Sequence, residues 1–185
     1  MTWAGVDVGG RRKGFHAAVV DERGLVAGPR RLARAKDAAE WLAGHAPLLV
    51  AVDSPRQPAP DGLGSRSCER ELARAVCGIR YTPARRLLPG NPYYEWILNG
   101  FELYDVLERA GLEAIECFPT ASWTRWAGGR RGTRAAWSAA ALARIMPGAP
   151  RLSQDGRDAI AAALTARSTA RGAVERFGDI VVPLA

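Results

Sequence analysis

The sequence is poor in the residues that form disulfides or bind zinc. Its 185 residues include three cysteines and two histidines, which are Cys68, Cys77, Cys117, His16 and His45. No two of the cysteines form a Cys-x-x-Cys pair. An odd number of cysteines without such a pair excludes the usual zinc spacings and predicts reduced, buried thiols.

Long apolar runs are also absent. The longest, residues 48–52, ends at Asp53, far short of the ~20 residues that span a bilayer. A secretory signal has a basic patch followed by an apolar stretch. The first residues of this sequence do not contain that pattern. We therefore expect a protein without a membrane segment, located in the cytoplasm.

Lysine is scarce although the chain is basic. The net charge is +7, and of 26 basic residues only Lys13 and Lys36 are lysines. A basic surface is typical of proteins that bind polyanions such as nucleic acid. A chain rich in arginine, alanine and glycine also indicates a genome-wide codon bias, so the charge alone leaves nucleic-acid binding open.

The residues that are present predict one α/β domain. Hydrophobic residues make up 48% of the chain and charged residues 24%, which is ordinary for a globular domain. Apolar stretches at 5–9 and 15–20 flank a glycine-bounded turn, which indicates a hairpin, and a third strand follows Gly24. A helix over 37–42 and an apolar strand over 48–53 come next. This order favours a mixed sheet with helices on its faces.

Residues 54–112 interrupt this pattern. Prolines and glycines predict an irregular loop, and helical stretches follow at 67–76 and 93–110. We interpret the segment as a helical insertion between strands 4 and 5 that covers one edge of the sheet, within a single domain over 1–185. Beyond it we predict a strand over 113–118, helices over 133–145 and 153–172, and a short final strand over 180–183.

Three of the predicted strands carry a carboxylate: Asp7, Asp53 and Glu116. Strand alternation puts Asp7 on one face with Gly5 and Asp53 on one face with Ala51, so small neighbours leave room for an ion. If these strands are adjacent, the carboxylates repel one another unless a cation compensates them. Oxygen ligands suit hard cations, which predicts a Mg²⁺ or Mn²⁺ site. Taken singly, each acid is more simply explained by a bond to a loop amide.

The last predicted helix offers a fourth acid. Asp158, with or without Asp155, lies at its start and precedes an alanine-rich stretch that would let the helix approach the sheet closely. Asp155 has a second interpretation as the helix N-cap. The pattern therefore predicts a cluster of Asp7, Asp53, Glu116 and Asp158.

Six short motifs span nearly the whole chain. They are Gly5-Val6-Asp7, Val52-Asp53-Ser54-Pro55, Gly64-x-Arg66-x-Cys68-Glu69-Arg70, Ile115-Glu116-x-x-Pro119, Gln154-Asp155-x-x-Asp158-Ala159 and Ile180-Val181-Val182-Pro183. In this order they resemble the predicted RNase H-like nucleases of the family called domain of unknown function 429. The resemblance implies an RNase H-like fold, in which a five-stranded mixed sheet holds acids from its first strand, its fourth strand and a late helix. It also implies catalytic and metal-binding roles for Asp7, Asp53, Glu116 and Asp158.

Three arginines follow the Asp53 loop at helical spacing. Arg66, Arg70 and Arg74 would form one basic face beside the acids, and their stretch overlaps one of the family motifs. We interpret them as a substrate-binding surface for phosphates. The alternative is an ordinary solvated helix face.

The hypothesis that these features favour is a hydrolase, a metal-dependent nuclease. Two Mg²⁺ or Mn²⁺ ions on the four acids would activate water and stabilise the leaving oxygen of a nucleic-acid phosphodiester. No histidine is evident near the acids, so the metal would have to activate the water.

Two alternative functions stay open. Residues Asp7-Val8-Gly9-Gly10 also resemble the first phosphate motif of actin and the sugar kinases, which suggests a nucleotide-binding relative. Such proteins need two domains of this kind, and 185 residues supply one. The other alternative is a non-catalytic module that binds nucleic acid or a protein partner.

Overall fold

The computed structural model describes all residues, 1–185. Its strands are β1 (Trp3–Val8), β2 (Phe15–Val20), β3 (Leu25–Leu32), β4 (Val50–Asp53), β5 (Ala114–Cys117), β6 (Val174–Phe177) and β7 (Ile180–Pro183). Its helices are α1 (Ala35–Ala43), α2 (Ser67–Ala75), α3 (Glu95–Arg109), α4 (Pro119–Ala127), α5 (Arg134–Ile145) and α6 (Gln154–Ala170). None of these helices combines the length and apolarity needed to cross a membrane.

The strands form one mixed sheet in the order β3-β2-β1-β4-β5-β7-β6. Strands β1, β2 and β3 pair antiparallel, whereas β1, β4, β5 and β7 pair parallel. Parallel strands end at the same edge of a sheet. This edge therefore receives Asp7 and Asp53, which lie at the carboxyl ends of β1 and β4.

The predicted mixed sheet with flanking helices is confirmed, but it has seven strands instead of five. Strand β7 pairs with β5, and β6 pairs antiparallel with β7 as a hairpin. Gly178 in the connecting turn has a φ of 53°, a value that glycine adopts most easily. Helix α4 was not predicted from the sequence, because Pro119 follows an apolar strand and a proline can end a strand. Proline fits the first turn of a helix equally well, and α4 begins at Pro119.

Each face of the sheet has its own apolar core. Val6, Val50 and Val52 contact side chains of α1 and α3 on one face. Trp3 and Ala51 pack with α6 on the other face. Because side chains alternate along a strand, the carboxylates at positions 7 and 53 fall on the α6 face.

Helix α6 lies unusually close to β1, and Gly5 is the reason. A Cβ atom at Gly5 would lie 2.0 Å from the backbone nitrogen of Ala163 and 2.4 Å from the carbonyl oxygen of Ala159. No side chain fits between the two backbones. This confirms that the alanine-rich stretch lets the helix approach the sheet, and it brings the first turns of α6 beside Asp7.

Residues 54–112 contribute α2 and α3, which take different positions. Helix α2 packs beside β6 and β7 through Cys68 and Leu72. Helix α3 packs against α1 and the sheet. At Gly100 of α3, an added Cβ would lie 1.8 Å from the Ser54 Oγ. Helix α3 therefore lies directly against the loop that leaves β4.

Candidate metal centre

A cleft of about 760 Å³ lies over the carboxyl ends of β1, β4 and β5 and the first turn of α6. Most of the side chains that line it are polar or charged. Its acidic lining residues are Asp7, Asp53, Glu69, Glu116, Asp155 and Asp158. All four acids predicted from the sequence therefore reach this cleft, but their hydrogen-bond partners differ.

Asp7 and Asp53 lie opposite each other on adjacent parallel strands. Neighbouring strands are about 4.8 Å apart, and residues paired in this way present their side chains on the same face. Neither carboxylate accepts a hydrogen bond from any protein group. The structure thus places two nearly buried acids side by side with no donor to satisfy them.

This arrangement favours the protonated forms of both acids. The pKa of Asp7 is raised to about 8, first by burial and then by the nearby carboxylates of Asp158 and Asp155. Burial also raises the pKa of Asp53 well above its usual value, and Asp7 and Asp158 raise it further. Three elements, β1, β4 and α6, therefore bring their carboxylates close enough to repel one another.

Asp158 differs from these two because protein donors surround it. Its carboxylate accepts hydrogen bonds from the Trp123 Nε1 at 2.9 Å, from the Arg134 guanidinium at 2.9 Å, and from the Gln154 Nε2 at 2.9 and 3.0 Å. Burial raises the pKa of Asp158, while Arg134 opposes that rise. These bonds fix the orientation of the carboxylate.

The amide of Gln154 is itself fixed. Its Oε1 accepts hydrogen bonds from Ser138 and from the Arg157 guanidinium, each at 3.0 Å. The same guanidinium donates to the Ser138 Oγ at 2.9 Å. Because the amide oxygen accepts hydrogen bonds from these donors, the amide nitrogen is directed to Asp158. Helices α5 and α6 together hold this acid in place.

Asp155 does not cap α6. Ser153 is the N-cap residue, and its Oγ accepts a hydrogen bond from the backbone nitrogen of Gly156 at 3.1 Å, so the N-cap interpretation of Asp155 is wrong. The Asp155 carboxylate faces the cleft, where the Lys13 ammonium lies 3.0 Å from its Oδ1. Asp155 therefore joins the carboxylates of β1 and β4 at the cleft.

His16 is a site residue that the sequence analysis missed. On β2 it lies directly opposite Asp7, and its Nδ1 atom lies 3.9 Å from the Asp7 Oδ2. Burial lowers the pKa of His16. Its position could have been predicted from the register of the β1–β2 hairpin, because the turn between these strands decides which residue faces Asp7. Because histidine is scarce in the sequence, no histidine motif pointed to His16.

Glu116 reaches the cleft from the other face of the sheet. In the β4–β5 register it pairs with Val52, one position before Asp53, so it shares the face of that valine. Its two oxygens accept hydrogen bonds from the Arg66 guanidinium at 2.8 and 2.5 Å, and the backbone nitrogen of Arg56 donates to it at 2.8 Å. The structure therefore gives Glu116 a cationic partner of its own, although its charge still contributes to the raised pKa of Asp53.

The three arginines of the predicted basic face have different surroundings. Arg66 is only 5% exposed, and it bonds to Glu69 as well as to Glu116. Arg70 is exposed and donates to the Ser65 carbonyl and hydroxyl oxygens. Arg74 is exposed on α2. The three side chains therefore do not form a single exposed face.

Four other basic residues line the cleft. These are Lys13, Arg80, Arg130 and Arg134. Sequence reasoning did not select them because they come from separate segments of the chain. Together they place positive charge around the group of carboxylates.

The fold is similar to that of two solved structures. The chain is similar to the structure of RuvC from Thermus thermophilus, with 20% identity and a TM-score of 0.54 over 93% of this chain and 97% of that one. It is also similar to T. thermophilus RuvC in complex with Holliday junction substrate, with 22% identity and a TM-score of 0.53 over 93% of this chain and 96% of that one. The fold is RNase H-like, as the resemblance carried by the six motifs implied.

The family follows from a match over almost the whole chain. Residues 5–181 match the family described as "Protein of unknown function (DUF429)", and the chain belongs to this family. A comparison with curated proteins found no match. The resemblance inferred from the six motifs is therefore confirmed.

Proposed function

We propose that this protein is a metal-dependent nuclease that hydrolyses phosphodiester bonds of nucleic acid. One observation carries the proposal: Asp7 and Asp53 lie side by side, nearly buried, and accept no hydrogen bond from the protein. Burying carboxylates without donors is costly. A divalent cation bound between the two carboxylates would compensate their charges directly.

The donor set fits Mg²⁺ or Mn²⁺. Asp7 and Asp53 would hold the ions together with Asp158 and Asp155, and all of these ligands are carboxylate oxygens. When bound, the ions would supply an activated water and charge stabilisation at the leaving oxygen. Asp7 is central to this set because it has neighbouring acids on both β4 and α6.

The surrounding residues would keep these ligands in position. Trp123 and Gln154 fix the orientation of the Asp158 carboxylate. An ion bound there would replace the Arg134 guanidinium, which donates to the Asp158 Oδ2. Glu116 acts in the proposal as a positioning residue. It accepts a hydrogen bond from the Arg56 backbone and anchors Arg66, which fixes the loop that follows Asp53.

Nucleic acid is the substrate class that the charges favour. Lys13, Arg80 and Arg130 line the cleft beside the acids, and the chain as a whole carries a net charge of +7. Cationic side chains around a carboxylate cluster suit a polyanion that must approach bound metal ions. The similar RuvC structure in complex with Holliday junction substrate gives further support.

The domain organisation supports a substrate groove. We propose that residues 1–185 act as one domain and that the insertion over 54–112 forms a wall of the cleft. Gly78, Ile79 and Arg80 of this segment line the cleft, as do residues of α6. A strand bound at the acids would run between these two elements.

Cleavage assays on labelled nucleic acids test the proposal. The substrates are single-stranded DNA, duplex DNA, a four-way DNA junction and RNA, each with Mg²⁺, Mn²⁺ or chelator. We expect metal-dependent cleavage of at least one substrate, and its loss in Asp7→Asn. Asp105→Asn is the matched control, because Asp105 is exposed on α3 and does not line the cleft.

The assay also separates the alternatives. Binding of nucleic acid without cleavage under any metal condition would overturn the nuclease proposal and favour a non-catalytic module. Cleavage that persists in Asp7→Asn would show that the activity comes from elsewhere.

A further inference from the structure

We propose that His16 is a protein ligand of one metal position, which it shares with Asp7 and Asp155, and that this mixed nitrogen and oxygen set selects Mn²⁺ over Mg²⁺. The inference rests on the proposed metal-dependent function and deepens it. It assigns a role to a side chain of β2, whereas the acids come from β1, β4 and α6.

The geometry brings three ligand atoms together. One ligand atom each from Asp7, His16 and Asp155 lies within 4.8 Å of the other two. His16 faces Asp7 because the two residues pair directly in the antiparallel β1–β2 register. Asp155 reaches them from the first turn of α6. Three separate elements thus converge on a space of the size that one ion needs.

The imidazole shows an unmet bonding requirement at this point. The His16 Nδ1 atom is buried and has no hydrogen-bond partner, although it lies 3.9 Å from a carboxylate oxygen. Buried polar atoms are nearly always paired. The imidazole faces two acids, Asp7 and Asp155, and receives no bond from either. Coordination of a cation would satisfy the nitrogen and both carboxylates together.

Lys13 shows that this space accepts positive charge. Its ammonium lies 3.0 Å from the Asp155 Oδ1. The Lys13 side chain is 64% exposed, so it can leave without disturbing the core. A bound ion would replace this ammonium at Asp155, and Lys13 would then be free to contact a phosphate.

The ligand chemistry predicts the selectivity. Mg²⁺ strongly prefers oxygen ligands and water, whereas transition metals accept imidazole nitrogen readily. A site with two carboxylates and one imidazole therefore gains affinity for Mn²⁺ from its histidine and gains little for Mg²⁺. Without His16 the two ions should be bound more equally.

The chain offers a direct spectroscopic test because it contains only two histidines. Mn²⁺ is added to the metal-free, full-length protein, and imidazole nitrogen coupling to the manganese is measured by electron spin-echo envelope modulation. His45→Gln is the control, since His45 packs against Trp41 and does not line the cleft. We expect the coupling in wild type and in His45→Gln, and its absence in His16→Gln.

Calorimetric titration with each ion provides the second readout. We expect His16→Gln to weaken Mn²⁺ binding at least about tenfold, the loss that even outer partners of a metal ligand cause. Mg²⁺ binding should change less than about threefold. The His45→Gln protein retains His16, so its spectrum decides the question even if His16→Gln fails to fold.

Each outcome has a distinct meaning. Mn²⁺ that binds without nitrogen coupling, or with coupling that disappears in His45→Gln, overturns the role of His16 and leaves the nuclease proposal standing on its carboxylates. Equal weakening of Mn²⁺ and Mg²⁺ in His16→Gln overturns the selectivity. A wild-type protein that binds neither ion overturns both this inference and the proposed function.

Discussion

Asp7 and Asp53 occupy paired positions on adjacent parallel strands, and neither carboxylate accepts a hydrogen bond from the protein. Asp158, which lies close to both, accepts four. The protein therefore satisfies the acid on the helix and leaves the acids on the strands without partners. In the proposed cation site, Asp158 is therefore the acid held in place by the protein, and Asp7 and Asp53 are the acids free to bind the ion.

Stability should depend on pH through Asp7. The folded protein raises the pKa of this acid from 3.8 to about 8, so between these values the folded state binds more protons than the unfolded state. Stability contributed by this group is therefore lost as pH rises. In chelator, we expect the free energy of unfolding to fall between pH 5 and 8 by at least about 1 kcal/mol more in wild type than in Asp7→Asn.

Urea unfolding at several pH values measures this difference. Asp105→Asn, which removes an exposed acid of α3, should follow the wild-type curve. Parallel curves for wild type and Asp7→Asn would contradict a raised pKa at Asp7.

The buried Arg66, which immediately precedes α2, should be important for stability. Arg66→Met leaves Glu116 and Glu69 buried without their cation, and breaking such a pair costs about 3–5 kcal/mol. Arg74→Ala removes an exposed arginine of α2 and should change stability by less than about 0.5 kcal/mol. Denaturant titration compares the two variants.

Glu116→Gln distinguishes a positioning residue from a metal ligand. We expect this variant to lose stability equally with and without Mn²⁺, because its partner is Arg66 and not an ion. A thermal shift by Mn²⁺ that disappears in Glu116→Gln would restore the metal-ligand role that the family resemblance implies.

Basic residues of the cleft should set the salt dependence of nucleic-acid binding. The double variant Arg80→Ala and Arg130→Ala removes two cleft cations, so the slope of log affinity against log salt for duplex DNA should fall by about 1.8. The double variant Arg70→Ala and Arg74→Ala, on α2, provides the comparison. A larger change in that variant would favour the helix face predicted from the sequence.

Close contact between β1 and α6 should make Gly5 intolerant of substitution. In Gly5→Ala the new Cβ meets backbone atoms of Ala163 and Ala159, which cannot turn aside as a side chain would. We expect a loss of at least about 3 kcal/mol in the free energy of unfolding. Gly64→Ala is the matched control, because its Cβ would point into open space. Equal stability of the two variants would contradict the packing described for α6.

Much of the fold could be predicted because local patterns decide it. Alternation along β1 and β4 identified the faces of Asp7 and Asp53, and the alanines of α6 predicted its close approach. Strand β6 escaped prediction because it has only four residues and depends on pairing with β7. Short edge strands carry little local signal of their own.

The site was harder to predict because it depends on register. A shift of one residue between β4 and β5 moves a side chain to the other face, and this separates Glu116 from Asp53. The position of His16 depends in the same way on the β1–β2 turn. The burial of Arg66 could not be predicted from the sequence, because its two acidic partners lie three and fifty residues away along the chain.

The most direct test of the cation site is a pair of melting curves for wild type and Asp7→Asn, each recorded in chelator and in Mn²⁺. At a hundredfold excess over Kd, Mn²⁺ should stabilise the wild type by about 2.7 kcal/mol, or roughly 5–10 °C for a chain of this size. In chelator at pH 8, near the pKa of Asp7, Asp7→Asn should melt at the same temperature as wild type or higher, because the substitution removes a charge that the neighbouring acids repel, at no cost in hydrogen bonds. Its shift with Mn²⁺ should be small. An Asp7→Asn protein that is destabilised in chelator and keeps the full Mn²⁺ shift would contradict the account.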